Sequence, residues 1–179
     1  MTNNISKLFE LIKSDFSKLD KFTFFSFIKH YIFNKGEVYP YVFWFRIVQF
    51  SKKGNWLTRL FFLPISYLIL RHYEYKFGIH ANSNTHIGKG LHIVHGDGVH
   101  INAEFIGDNL RIFQGVTIGV HNGHRPHICD NVIIYPNAVI VGNITLHDNC
   151  IIGANAFVSK DVLPNTVVGG VPAKTIKQK

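Results

Sequence analysis

From residue 128 onward an aliphatic side chain recurs every six positions, at Ile128, Ile134, Ile140, Leu146, Ile152 and Val158. Each is followed four positions later by a second, mostly short apolar residue: Val132, Ala138, Ile144, Cys150, Ala156 and Val162. The same frame runs back through Ile106, Ile112 and Ile118, and further to Ile87, Ile93 and Val99. A period of six matches neither a long strand nor a helix. It predicts short strands that turn a corner in every unit, three units closing a triangular coil of about 18 residues with the aliphatic column inside. Asn, Asp and Gly fill the corners, at Gly107-Asp108-Asn109, Asp130-Asn131, Gly142-Asn143 and Asp148-Asn149, where a positive φ must be tolerated. The pattern reads as a parallel β-helix.

Two interruptions stand out. Val99 to Ile106 is seven residues, one more than a unit, and Ile118 to Ile128 is ten, four more. The four extra residues predict a loop, 119–127, holding His121, Asn122, Gly123, His124, Arg125 and Pro126.

Upstream the spacing changes. Leu8, Phe9, Leu11, Ile12, Phe16 and Leu19 recur at helical intervals, as do apolar residues from Val42 to Phe50 and from Leu57 to Leu70, with breaks expected at Asn34-Lys35-Gly36 and at Pro40. The stretch from Trp56 to Leu70 is interrupted by Arg59 and Pro64 and is too short to span a bilayer. Two regions are expected: a helical one over 1–76 and the β-helix over 77–179.

Charge sharpens this division. Residues 1–76 carry 12 Lys+Arg against 5 Asp+Glu, whereas 77–179 carry 7 against 6; 12 of the 16 Phe and both Trp precede residue 63. A basic, aromatic helical region suits packing on its own domain and on neighbouring chains, or peripheral contact with a membrane through Lys52, Lys53 and Arg59. No nucleic-acid motif accompanies the charge, so no nucleic-acid partner is expected. Two cysteines, Cys129 and Cys150, exclude a disulfide framework, and the N-terminus lacks the apolar core of a secretory signal, so a cytoplasmic location, extending to the inner face of the membrane, is expected.

The segments IHANSNTHIGKGLHIVHGDG, RIFQGVTIG, IIGANAFVSKDV and VVGGVPAKTIK resemble the hexapeptide-repeat acyltransferases. The resemblance covers about residues 77–179 and implies a mainly β fold, a left-handed parallel β-helix with an N-terminal α-helical region, acting with acetyl-CoA and without a metal. It also implies a homotrimer with sites between subunits.

Acetyl transfer to a hydroxyl needs a base for the hydroxyl proton, donors for the developing oxyanion and a slot for the pantetheine arm. A histidine suits the base role near neutral pH. His95, in IVHGDG at an outward corner, matches the catalytic histidine of the serine acetyltransferase branch, and His124, in GHRP, resembles a loop histidine that acts as base in related sugar acetyltransferases. By the same resemblance Asp97 and Arg125 lie toward the acceptor, and Ala154, Ser159, Lys160, Lys174 and Lys177 toward acetyl-CoA. His95 and His100 also have a spacing found in β-helical zinc enzymes, but no third histidine matches.

Serine acetyltransferases place acids where this chain has Gly78 and Val94, and the second histidine of their loop aligns with Arg125. The helical region here is also shorter than theirs. These departures point to a glycan or activated-sugar hydroxyl, as in capsule and exopolysaccharide O-acetyltransferases, with serine as the alternative acceptor and a non-catalytic scaffold as a third reading.

Overall fold

The aliphatic residues of the six-residue period face inward and are sealed from solvent: Ile106, Ile112, Ile118, Ile128, Ile134, Ile140, Leu146 and Ile152 are each 0% exposed in the computed structural model, which describes residues 5–33 and 38–178. The strands that carry them form three parallel faces. Face one contains β1 (Ile79–Ala81), β4 (Val99–Ile101), β7 (Thr117–Gly119), β10 (Val139–Val141) and β13 (Phe157–Val158). Face two contains β2 (His86–Ile87), β5 (Phe105–Ile106), β8 (His127–Ile128) and β11 (Thr145–Leu146). Face three contains β3 (His92–Ile93), β6 (Arg111–Ile112), β9 (Ile133–Ile134), β12 (Ile151–Ile152) and β14 (Thr166–Gly169), closed by β15 (Lys174–Gln178), which runs antiparallel to β14.

One part of the repeat frame is corrected. β3 pairs with β6 so that Ile93 lies beside Ile112, but β4 pairs with β7 so that Ile101, not Val99, lies beside Ile118. Eight residues therefore separate Ile93 from Ile101 where six separate Ile112 from Ile118. The surplus of two falls in the corner His95-Gly96-Asp97-Gly98. Val99 is also buried, paired with Ile79, which is why it passed for the start of a unit.

The corners explain their own composition. Asn109, Asn131 and Asn149 have φ near +60°, and so do Asn137, Asn155 and Asn165. Asparagine tolerates this conformation better than other residues with a Cβ. Between faces two and three the preceding aspartates bind the coil below: Asp130 accepts the N–H of Asp108 at 2.7 Å and Asp148 that of Asp130 at 2.9 Å.

The N-terminal segment forms α1 (Ile5–Phe16), α2 (Phe24–Ile28), α3 (Tyr39–Lys52) and α4 (Leu63–Phe77), with π-helical turns at Lys29–Phe33 and Thr58–Phe62. Pro40 does not break a helix; it sits in the first turn of α3, where its missing N–H costs nothing. The break expected at Asn34–Gly36 lies outside the described residues. Phe16 is the centre of an aromatic cluster, with ring centroids 4.9 Å from Tyr39 and 5.5 Å from Phe22, joining α1 to α3. Tyr41, Val42, Phe45 and Val48 of α3 and Leu70 of α4 continue one core with the first coil. α4 ends at Gly78, left-handed at φ +62°, and the chain enters β1 directly.

Trp56, Phe61, Phe62 and Leu68 are exposed. Among the described residues no helix is long and apolar enough to cross a membrane.

Candidate active site

The two-residue surplus in the first coil shapes the corner that carries His95. Val94 donates its N–H to Ile112 and Gly115 donates to Asp97, so the coils are in register on both sides while His95 and Gly96 bulge between them. His95 and Asp97 are exposed; Gly96 is buried. Gly96 passes close over the end of α4: a Cβ there would lie 2.5 Å from the Phe77 carbonyl oxygen. Glycine is required at this point so that the chain can pass and turn His95 outward.

This corner continues up the stack. Asn137 donates to Gln114 at 3.0 Å and Asn155 to Pro136 at 2.9 Å, so Asp97, Gln114, Pro136 and Ala154 follow one another along the edge between faces three and one. Three rungs at about 4.8 Å put Ala154 about 14 Å from the His95 corner. Ala154 is exposed, with no side chain beyond Cβ to obstruct an extended ligand.

Gln114 was not singled out in the sequence. Its side-chain oxygen is buried and has no hydrogen-bond partner among the described residues, which is costly for an amide unless a ligand or water completes it. The only signal of it was its place in RIFQGVTIG.

His124 lies elsewhere. The inserted loop after β7 is a tight hairpin in which His121 and His124 exchange backbone hydrogen bonds of 3.0 and 3.1 Å. Asn122 and Gly123 at its tip have φ of 52° and 80°, the Asn-Gly signature of a type I′ turn. Its base is tied to the second coil by Glu104 N–H to the Pro126 carbonyl at 2.9 Å and by the exposed pair Arg125–Glu104 at 3.6 Å. The loop is thus held, and presents His124 to solvent.

Ser159 and Lys160 follow β13 and share this second edge, between faces one and two, with the hairpin. Lys174 and Lys177 are exposed on β15, at the closed end of face three. Apart from Lys174 and Lys177, the candidates within one chain fall on two margins: His95, Asp97, Gln114 and Ala154 on one side of face one, and His124, Arg125, Ser159 and Lys160 on the other. Strands of two or three residues, about 10 Å, separate them. One chain does not bring His95 and His124 together.

Five of the other histidines, at 80, 86, 92, 100 and 127, line the faces. His86, Phe105 and His127 stack up face two at 4.9 and 4.8 Å, and His80 stacks on His100 at 5.1 Å. Burial holds the His92 imidazole below its usual range, helped by Arg111 and Lys18. Cys129 is no activated nucleophile: burial pushes its thiol up, and Asp148 and Asp130 add to the effect. Among the described residues no group of three or more His, Cys, Asp or Glu side chains could hold a metal ion.

Two of the departures read as marks of a sugar acceptor, Gly78 and Val94, have structural settings of their own. Gly78 is the left-handed cap of α4, and a Cβ on it would stand 3.1 Å from the Gly98 nitrogen. Val94 is half-buried in register with Phe113, which itself stacks on Tyr135 at 5.2 Å. Gly78 answers to the end of α4, and Val94 to the column of side chains on face three.

Comparison with known proteins bears on the same point. Residues 125–160 match the family model described as bacterial transferase hexapeptide (six repeats). A serine acetyltransferase of Staphylococcus epidermidis is 44% identical over 107 residues, 57% of this chain and 50% of that relative, and one of Staphylococcus xylosus is 42% identical over 106 residues. The chain spans about half the length of these curated relatives. Among solved structures, a serine acetyltransferase from Brucella abortus strain S19 superposes with a TM-score of 0.71 at 26% identity, covering 96% of this chain and 67% of that one. One from Neisseria gonorrhoeae in complex with serine superposes at 0.76, with 24% identity over 97% of this chain and 70% of that one. The fold is that of these structures, a mainly β, left-handed parallel β-helix behind N-terminal helices. The family model matches residues 125–160, and the relatives matched over 106–107 residues are serine acetyltransferases. These matches overturn the expectation of a glycan acceptor, because the relatives at 42–44% identity are serine acetyltransferases and not capsule or exopolysaccharide enzymes.

Proposed function

We propose that this chain is an acetyl-CoA-dependent O-acetyltransferase whose acceptor is the hydroxyl of serine. The observation that carries this reading is the 44% identity with a serine acetyltransferase; the outward-turned His95 supplies the matching chemistry. His95 takes the proton of the serine hydroxyl as its oxygen attacks the thioester carbonyl. The tetrahedral oxyanion is held by backbone N–H groups along the corner edge. Collapse breaks the C–S bond, and the proton on His95 passes to the departing thiolate, giving free CoA and O-acetylserine.

Asp97 and Gln114 stand beside His95 to orient the acceptor. Ala154 leaves room for the pantetheine arm, and Ser159, Lys160, Lys174 and Lys177 serve the nucleotide end, the lysines as point charges for phosphate. Since one chain separates His95 from His124 and Lys160, the complete site in this reading is a groove between two β-helices of a homotrimer, where one margin faces the other. A solved serine acetyltransferase from Brucella abortus carries coenzyme A, consistent with acetyl-CoA as co-substrate.

The test is thiol release from acetyl-CoA by the purified protein with L-serine as acceptor. The expected result is serine-dependent release that falls by about 10²- to 10⁴-fold in His95→Ala. Release that ignores serine, or that survives the substitution, overturns the reading. Absence of both turnover and CoA binding would identify a scaffold.

A further inference from the structure

Away from the proposed transfer site, the helical region and the first coil enclose a second feature, a cavity of ≈ 420 Å³ between α1, α3 and the turn leading into β2. Its apolar wall is formed by Leu8, Leu11, Phe50 and Ile87, and its mouth by the exposed Lys7 and Lys53. Not one acidic residue lines it. Of the two acids of α1, Asp15 is already committed to Arg46 at 2.8 Å, and Glu10, one turn from Lys7, is exposed and does not line the cavity. Among the described residues Lys7 and Lys53 have no carboxylate within ion-pair distance, whereas Lys52 is held in the wall by Ser83 and Asn84, each at 2.7 Å.

The charge around the cavity extends along the chain. Between Glu37 and Asp97 the sequence has one acid, Glu74, against Arg46, Lys52, Lys53, Arg59, Arg71, Lys76 and Lys89. Glu74 is buried and bound to Arg71 at 3.1 Å. The effect reaches the cavity wall, where desolvation and then Lys53, Lys7 and Arg46 hold the His86 imidazole below its usual range.

An apolar chamber of this size is large enough for a small ligand. A mouth of unneutralised cations attracts negative charge, and the wall behind it excludes a bare, strongly hydrated ion as the best fit. We propose that this cavity is a binding site for an amphipathic anion, a carboxylate or phosphate monoester carrying an alkyl or aromatic body. The anionic group sits between Lys7 and Lys53, and the apolar body lies against Leu8, Leu11 and Phe50.

The probe is octyl phosphate, titrated calorimetrically into the full-length protein below its micellar concentration. Saturable binding at one site per chain is expected, with inorganic phosphate and octyl glucoside each at least tenfold weaker. The double substitution K7E/K53E, at exposed positions, should weaken octyl phosphate at least tenfold while serine-dependent thiol release stays unchanged. Leu11→Trp, which fills the chamber, should weaken it comparably. Co-sedimentation with phosphatidylglycerol vesicles separates the sources: binding lost in K7E/K53E assigns the anion to a lipid headgroup, and octyl phosphate binding without vesicle binding assigns it to a free metabolite. Octyl glucoside binding as tightly as octyl phosphate, or K7E/K53E binding within twofold of wild type, overturns the proposal.

Discussion

Arg46 of α3 and Asp15 of α1 form a bidentate pair inside the protein, Nε to Oδ2 at 2.8 Å and Nη2 to Oδ1 at 3.3 Å, both side chains 1% exposed. The guanidinium also donates to the carbonyls of Ile87, at 2.7 Å, and Gly88, and Asp15 accepts the Leu91 N–H at 2.8 Å. Two helices and the first coil are thereby joined at one point, with the charges and the backbone groups around them paired. Burial pushes the Asp15 carboxyl up, and the guanidinium opposes that shift.

Removing one partner of such a pair costs more than removing both. Arg46→Met is expected to destabilise the protein by about 3–5 kcal/mol, because it leaves a buried carboxyl and two coil carbonyls unpaired. Asp15→Leu combined with Arg46→Met should recover a large part of this. Urea denaturation of the two variants decides it; a single variant as stable as wild type would refute the account.

The corner asparagines supply a second expectation. Asn131 holds φ +58° and accepts a hydrogen bond from Asn109 at 3.0 Å. Asn131→Val should cost about 1–2 kcal/mol from the left-handed backbone alone. Asn131→Gly, which loses the same hydrogen bond but not the conformation, should cost less. Equal melting temperatures for the two variants would count against this.

At the His95 corner the constraint is steric. A side chain at Gly96 meets the Phe77 carbonyl, whereas a Cβ at Gly119 finds its nearest atoms at 3.7 Å. Gly96→Val should therefore displace the corner and abolish thiol release, while Gly119→Ala should keep near wild-type turnover. The same assay with L-serine reads both.

His92 and His86 give stability a pH dependence. Both imidazoles are held below the unfolded value of about 6.5, chiefly by burial. The folded state thus favours the neutral ring, and its contribution is complete above pH 6.5 and lost as pH falls below it. Melting temperature should drop between pH 6.5 and 5, and less steeply in a His92→Gln variant. A wild-type profile that is flat over this range would contradict the assignment.

Much of this architecture was legible because the solenoid writes its core into a fixed period. From Ile106 to Val158 the frame breaks only at the ten-residue step after Ile118, which located the hairpin. The frame failed at Val99, where a bulge of two residues put a second buried aliphatic ahead of Ile101. Local periodicity cannot distinguish those two; only pairing with β1 and β7 does. Gly78 and Val94 misled for a related reason. As bare sequence positions they look like missing acids, but Gly78 is a left-handed helix cap and Val94 belongs to a column with Phe113 and Tyr135, and neither setting is visible before the coils stack. Gln114 was silent because an amide between β6 and β7 looks like any solvated corner until its oxygen is found buried.

The last strand has a consequence for assembly. A stack of parallel rungs ends in unpaired backbone groups onto which another chain can add, the route by which such stacks propagate into fibres. Here β15 turns back against β14 and uses that edge on face three in the opposite direction, with every one of its side chains facing water and lysines at 174 and 177. The opposite end abuts α3 and α4. Face three is thereby closed at one end by an antiparallel strand and covered at the other by helices, which disfavours addition of a further parallel rung along that face.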